Sequence, residues 1–168
     1  MADKAIEEFN TAIQKNPNSL SVLMGLGVIY DMKKNVEKAK EYYQKALKIN
    51  PKYVPAANNL AYIYTDRGEN IDEALAQMSK EMFPDDPAIS DTLGWAYYKK
   101  NIFTRAITYC KEAVEKLPDH PIPRYHLGMA YYKNGDKELA KKELKKALEL
   151  DPKFSKAQEA KEALEKLK

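Results

Sequence analysis

The chain has 168 residues, 44% of them hydrophobic and 32% charged, with 28 basic and 25 acidic side chains for a net charge of +3. Such a chain is long enough to bury a core, and its composition excludes a disordered tail. The charge is small and evenly spread, 11 basic and 11 acidic residues falling in positions 1–84, so electrostatic attraction to nucleic acid or to an anionic membrane is not expected to drive binding.

The first element, residues 3–16, places Ala5, Phe9 and Ala12 on one face of a helix and ends before Pro17. Its opening, Met1 to Phe9, lacks the basic-then-apolar layout of a secretory leader. No apolar run anywhere in the chain approaches the ~18–20 residues that span a bilayer, so no membrane insertion is expected.

Four segments then follow in register, 20–53, 54–86, 87–120 and 121–154, with starts 34, 33 and 34 residues apart. The first, third and fourth share a strict internal pattern. Leu-Gly stands at positions 7 and 8 (Leu26-Gly27, Leu93-Gly94, Leu127-Gly128) and Tyr at 11 (Tyr30, Tyr97, Tyr131). Ala stands at 20 and 27, a large side chain or Cys at 24 (Tyr43, Cys110, Leu144), and Pro at 32. Each segment reads as two helices that cross where Gly or Ala lets the backbones approach. Gly68 and Gly135 supply the left-handed residue after the first helix, and Pro stops the second. The second segment departs from the pattern near its end, with an extra residue before Ala74 and Glu81 where Ala is expected. A helix pair of this size cannot bury its own apolar face, so stability must come from stacking on neighbours, which gives an all-α solenoid. Residues 155–168 form one amphipathic helix with Lys and Glu outside, suited to cap the stack. Residues 3–16 match only the second helix of a repeat and carry no polar cap. That fits a chain excised from a longer protein, or a face that another molecule covers.

The period and the spaced Leu-Gly, Tyr, Ala and Pro resemble the tetratricopeptide repeat family over nearly the whole chain. Trp at position 4 is missing, its place held by Leu23, Ala57, Ser90 and Arg124. The resemblance implies a right-handed superhelical solenoid of antiparallel helix pairs, whose first helices line a concave inner surface that holds a peptide or helix of a partner.

On the first helix of each repeat, positions 4, 7, 8 and 11 cluster on one side, and positions 2, 5, 9 and 12 lie about 140° away. The second stripe is the candidate ligand surface. It carries Met24 and Val28 in the first repeat, Asn58 and Tyr62 in the second, Asp91, Trp95 and Tyr98 in the third, and Tyr125, Met129 and Tyr132 in the fourth. Trp and Tyr in this number suit a binding hot spot. The alternative is that the rings pack on one another and merely stiffen the wall. The charged clamp of chaperone-binding relatives is not reproduced, since its places hold Met24, Val28, Asn59, Ala88 and Thr92, of which only Asn59 matches. Asn59 is a candidate for the backbone of a ligand, and His126, at position 6, for a further polar contact.

Catalytic chemistry has no foothold. His120 and His126 are six residues apart across two prolines and do not share a metal. Cys110 sits at a core position and, as the sole cysteine, forbids an intrachain disulfide. No phosphate-cradling glycine loop and no nucleophile–base pair is present, so no cofactor is expected. RNA reading of the pentatricopeptide kind would need polar position codes on a basic trough, which the aromatic stripe with Asp91 does not offer. The expected function is therefore a non-catalytic protein–protein interaction scaffold with an aromatic-lined groove. The alternative is a scaffold that self-assembles into homo-oligomers through residues 3–16.

Overall fold

A computed structural model describes residues 2–68, 71 and 86–168. Among them every regular element is an α-helix: α1 (Ala2–Lys15), α2 (Leu20–Met32), α3 (Val36–Ile49), α4 (Val54–Arg67), α5 (Pro87–Lys99), α6 (Phe103–Lys116), α7 (Pro121–Asn134), α8 (Lys137–Leu150) and α9 (Ala157–Lys166). The second helix expected after Gly68, with Ala74 and Glu81, lies outside the described residues. Consecutive helices pack as neighbours, α2 on α3, α5 on α6 and α7 on α8, and each pair leans on the next. The chain is an all-α helical repeat.

Local chemistry sets the helix ends. A Pro lies in the first turn of α4, α5 and α7, where a missing N–H leaves no bond unmade. Asp86 Oδ1 accepts from Ala88 N at 2.9 Å to cap α5, and Asn35 Oδ1 accepts from Lys38 N at 3.3 Å to cap α3. Position 15 is left-handed in all four repeats: Gly68 at φ 72° and Gly135 at φ 94°, but also Lys34 and Asn101, both at φ 60°. The two glycines follow the expectation. The other two show that the helix–helix crossing imposes the turn whether or not glycine is there, at a local cost of about 1–2 kcal/mol per non-glycine residue.

The stacked faces are closed. Leu23, Leu26, Ala39, Tyr43 and Ala46 are buried in the first repeat, and Ala106, Cys110, Ala113, Ala140, Leu144 and Ala147 repeat the arrangement further on. Burial pushes the Cys110 thiol well above its ordinary pKa, in keeping with an inert core residue. The helix crossings depend on glycine. A Cβ on Gly94 would fall on Cys110 Sγ and come within 3.0 Å of the Cys110 backbone nitrogen. A Cβ on Gly25 would meet only the tip of the Phe9 ring, at 2.7 Å, on the half-buried α1.

These environments predict different outcomes for the same exchange. Gly94→Ala should lower stability by about 1–2 kcal/mol, because overpacking against a fixed backbone exceeds the ~1 kcal/mol that Ala gains over Gly in a helix. Gly25→Ala should shift it by less than about 1 kcal/mol, since the Phe9 ring can yield. Urea unfolding of the two variants beside the parent checks both.

Candidate functional site on the inner wall

The stripe at positions 2, 5, 9 and 12 comes together from α4, α5 and α7, which side-by-side packing of first helices brings into line. Tyr62, Trp95, Tyr98, Tyr125, Met129 and Tyr132 belong to one apolar cluster. Met24 lies apart on α2 with the N-terminal cluster, and Val28 beside it is exposed.

The expectation that all these side chains face an open hollow is corrected here. Trp95 is 3% exposed, Tyr125 and His126 are 0% exposed, and Asp91 is buried with them. The cause is the closeness of successive first helices. Trp95 stacks on Tyr98 with centroids 4.5 Å apart and on His126 at 4.3 Å, and it tilts against Tyr125 at 5.8 Å. Lys99 Nζ lies 5.2 Å from the Trp95 ring. Tyr125 is closed from the other side by Phe154, 5.8 Å away. What stays half-exposed is the outer layer: Tyr62, Tyr98, Met129 and Tyr132.

Behind that layer runs a set of polar rungs between neighbouring repeats. Thr92 Oγ1 donates to Asn58 Oδ1 at 2.9 Å, His126 Nδ1 meets Asp91 Oδ1 at 2.8 Å, and Tyr125 Oη donates to Glu159 Oε2 at 2.8 Å. With Asp91 ionised, the bond requires the proton on His126 Nδ1. Each rung starts at position 5 of one repeat and ends at position 5 or 6 of the next. This polar register was absent from the sequence reading. Its signal was a small or polar side chain at position 6, Thr92 or His126, one repeat after Asn58 or Asp91. Asn59 likewise turns inward, its Nδ2 donating to Tyr43 Oη at 3.1 Å.

Other residues that shape the wall also went unread. Asp66, at the end of α4, accepts from Lys99 Nζ at 3.2 Å through its carbonyl and pairs with Lys156 Nζ at 3.2 Å through Oδ1. Nothing in the described residues groups three His, Cys, Asp or Glu side chains that could hold a metal. No described helix is long and apolar enough to cross a membrane.

Desolvation raises the phenol pKa of Tyr43, Tyr62, Tyr98 and Tyr125, and nearby carboxylates add to it at Tyr62 (Asp66 first) and Tyr125 (Glu159). An unfolded tyrosine titrates near 10. The folded state thus holds these protons more tightly than the unfolded one. The stability they contribute is complete below about pH 10 and is lost as pH rises further. Two measurements check this. The thermal midpoint should fall above about pH 10, and phenolate absorbance should develop later in the native chain than in urea.

Comparison with known proteins agrees with this architecture. Family models described as tetratricopeptide repeat match residues 21–53, 42–76 and 97–164. The chain is 25% identical over 116 residues to the TPR repeat-containing protein PA4667 of Pseudomonas aeruginosa, a match over 68% of this chain and 20% of that protein. It is 32% identical over 88 residues to the photosystem I assembly protein Ycf3 of Rippkaea orientalis, a match over 51% of each. The chain therefore spans about a fifth of one curated relative and half of the other. TTC0263, a thermophilic TPR protein of Thermus thermophilus, has the same fold, with a TM-score of 0.77 at 23% identity over 97% of this chain and 90% of that one. With repeat matches along both halves and the paired-helix stack that they describe, the chain belongs to the tetratricopeptide repeat family.

Proposed function

We propose that this chain is a non-catalytic interaction module that holds an extended or helical segment of a partner protein against its inner wall. One observation carries the reading. Tyr62, Tyr98, Met129 and Tyr132 form a half-exposed apolar run backed by the packed rings of Trp95, Tyr125 and His126. Rings held in place before a partner arrives lose little entropy on binding, and tyrosine is among the side chains most enriched at hot spots. Met24 and Val28, with half-buried Asn58 and Asn59, extend the surface toward α2. Tetratricopeptide repeats as a family mediate protein–protein interactions, and Ycf3 is named as an assembly protein.

The test is affinity capture of a partner from cells that carry the gene. Tyr98→Ala combined with Tyr132→Ala should weaken capture by about 2 kcal/mol or more while helicity is kept. Capture by the parent should not fall between about 50 and 500 mM salt, because the contact is apolar. Trp95→Ala should act differently, lowering stability by about 3–5 kcal/mol as a buried aromatic does. Equal capture by parent and double variant would end this reading.

A second reading, self-association through α1, is favoured by one feature. Ala5, Phe9 and Ala12 are only half-buried, whereas the matching Ala39, Tyr43 and Ala46 are sealed. Such a contact is heterologous and would grow with concentration. Light scattering should then show mass rising with concentration in the parent and staying flat in Phe9→Asp; a constant monomer mass in the parent refutes it.

A further inference from the structure

Contacts in a repeat solenoid run between neighbours, so one that skips repeats carries information. Lys156, in the segment after the fourth repeat, reaches back to α4 in the second. Its Nζ lies 3.2 Å from Asp66 Oδ1 and 3.2 Å from Glu159 Oε1. Desolvation pulls the Lys156 ammonium toward neutrality, but Asp66 and Glu159 outweigh it and hold its pKa above the ordinary lysine value. The neighbouring contacts converge on the same closure. Phe154 is buried against Tyr125, Tyr125 Oη is bonded to Glu159, and Lys99 links the Asp66 carbonyl to the face of Trp95. Beside the pair lies a cavity of about 300 Å³ whose walls include Asp31, Tyr62, Asp66, Ser155 and Lys156.

We propose that the Lys156–Asp66 pair is a clasp. Closed, it holds the segment from Phe154 to Glu159 and the end of α4 together across the inner wall; open, it lets the superhelix relax and the Trp95 ring meet solvent. The two side chains keep 19% and 35% exposure, so water and salt compete for the pair. Opening loosens the stack of Trp95 on His126 between α5 and α7 and spreads the rest of the motion as a small rotation at each repeat, which solenoids accommodate along their length. As regulation of the groove the clasp rests on the interaction reading above; as a property of the free chain it does not.

Trp95 is the sole tryptophan, which makes the free protein its own reporter. The variants are Asp66→Asn, Lys156→Met, and the charge exchange Asp66→Lys with Lys156→Asp. Acrylamide quenching of Trp95 is read beside far-ultraviolet circular dichroism. Each single variant should raise the quenching constant about twofold or more at unchanged helicity, as a shift toward the open population does. The exchange, which sets a second carboxylate beside Glu159, should bring it only part of the way back. High salt should raise it in the unsubstituted protein, a measurement that stands even where a variant fails to fold. Unchanged quenching in helical single variants, or in the parent at high salt, overturns the clasp. Raised quenching with no gain in partner capture supports the clasp and overturns its role in regulating the groove.

Discussion

Three times along the chain a glycine in one helix lies against a side chain of its partner helix: Gly27 on Tyr43, Gly94 on Cys110 and Gly128 on Leu144. In the second repeat Ala61, fully buried, takes the glycine's place. This close approach fixes how near two helices come and how each pair is turned relative to the next, because a packed interior does not tolerate an added methyl there. The rest of the architecture follows from it. First helices of successive repeats draw close enough for position 5 of one to bond position 6 of the next. The left-handed residue at position 15 recurs even where Lys34 and Asn101 must adopt it.

The same closeness decides the character of the inner wall. An aromatic stripe on widely spaced helices would be a bare groove. Here the helices approach until Trp95, Tyr125 and His126 fill the gap between them, and only the outer layer of rings keeps contact with solvent. The polar rungs behind that layer set register. A buried hydrogen-bonding group left without its partner costs about 1–3 kcal/mol, so a slip between repeats that unmakes Asn58–Thr92 or Asp91–His126 is disfavoured. The proposed binding surface and the packing that stabilises the stack thus share a wall. Tyr98 stacks directly on Trp95, and anything that moves one ring is felt by the other.

A solenoid is close to one-dimensional, and its ends are free to drift unless something ties them. The tie between Lys156 and Asp66, like the contact of the Tyr62 and His126 rings, joins repeats that are not neighbours in a stack built mainly from neighbour contacts. It places a charged, solvent-competed pair beside Lys99, which lies over the Trp95 ring. A marginal contact in that location suits control of exposure better than it suits stability, for which partly exposed ion pairs contribute little.

The sequence by itself determined the repeat. Leu26-Gly27, Tyr30, Ala39 and Ala46 and their counterparts mark helix faces by spacing alone, because a helix turns a fixed angle per residue and a buried face must be apolar at that period. Those positions required helix pairs, their ends and the all-α stack, and they also picked out the aromatic stripe. Only the tertiary structure decided which of its rings are sealed. Trp95 and Tyr98 are three residues apart on one helix and indistinguishable by period, yet the first is buried by His126 from the next repeat and the second stays half-open. Burial on an inner wall depends on the distance between helices far apart in sequence. That distance is set by the summed geometry of several crossings, which no local pattern records.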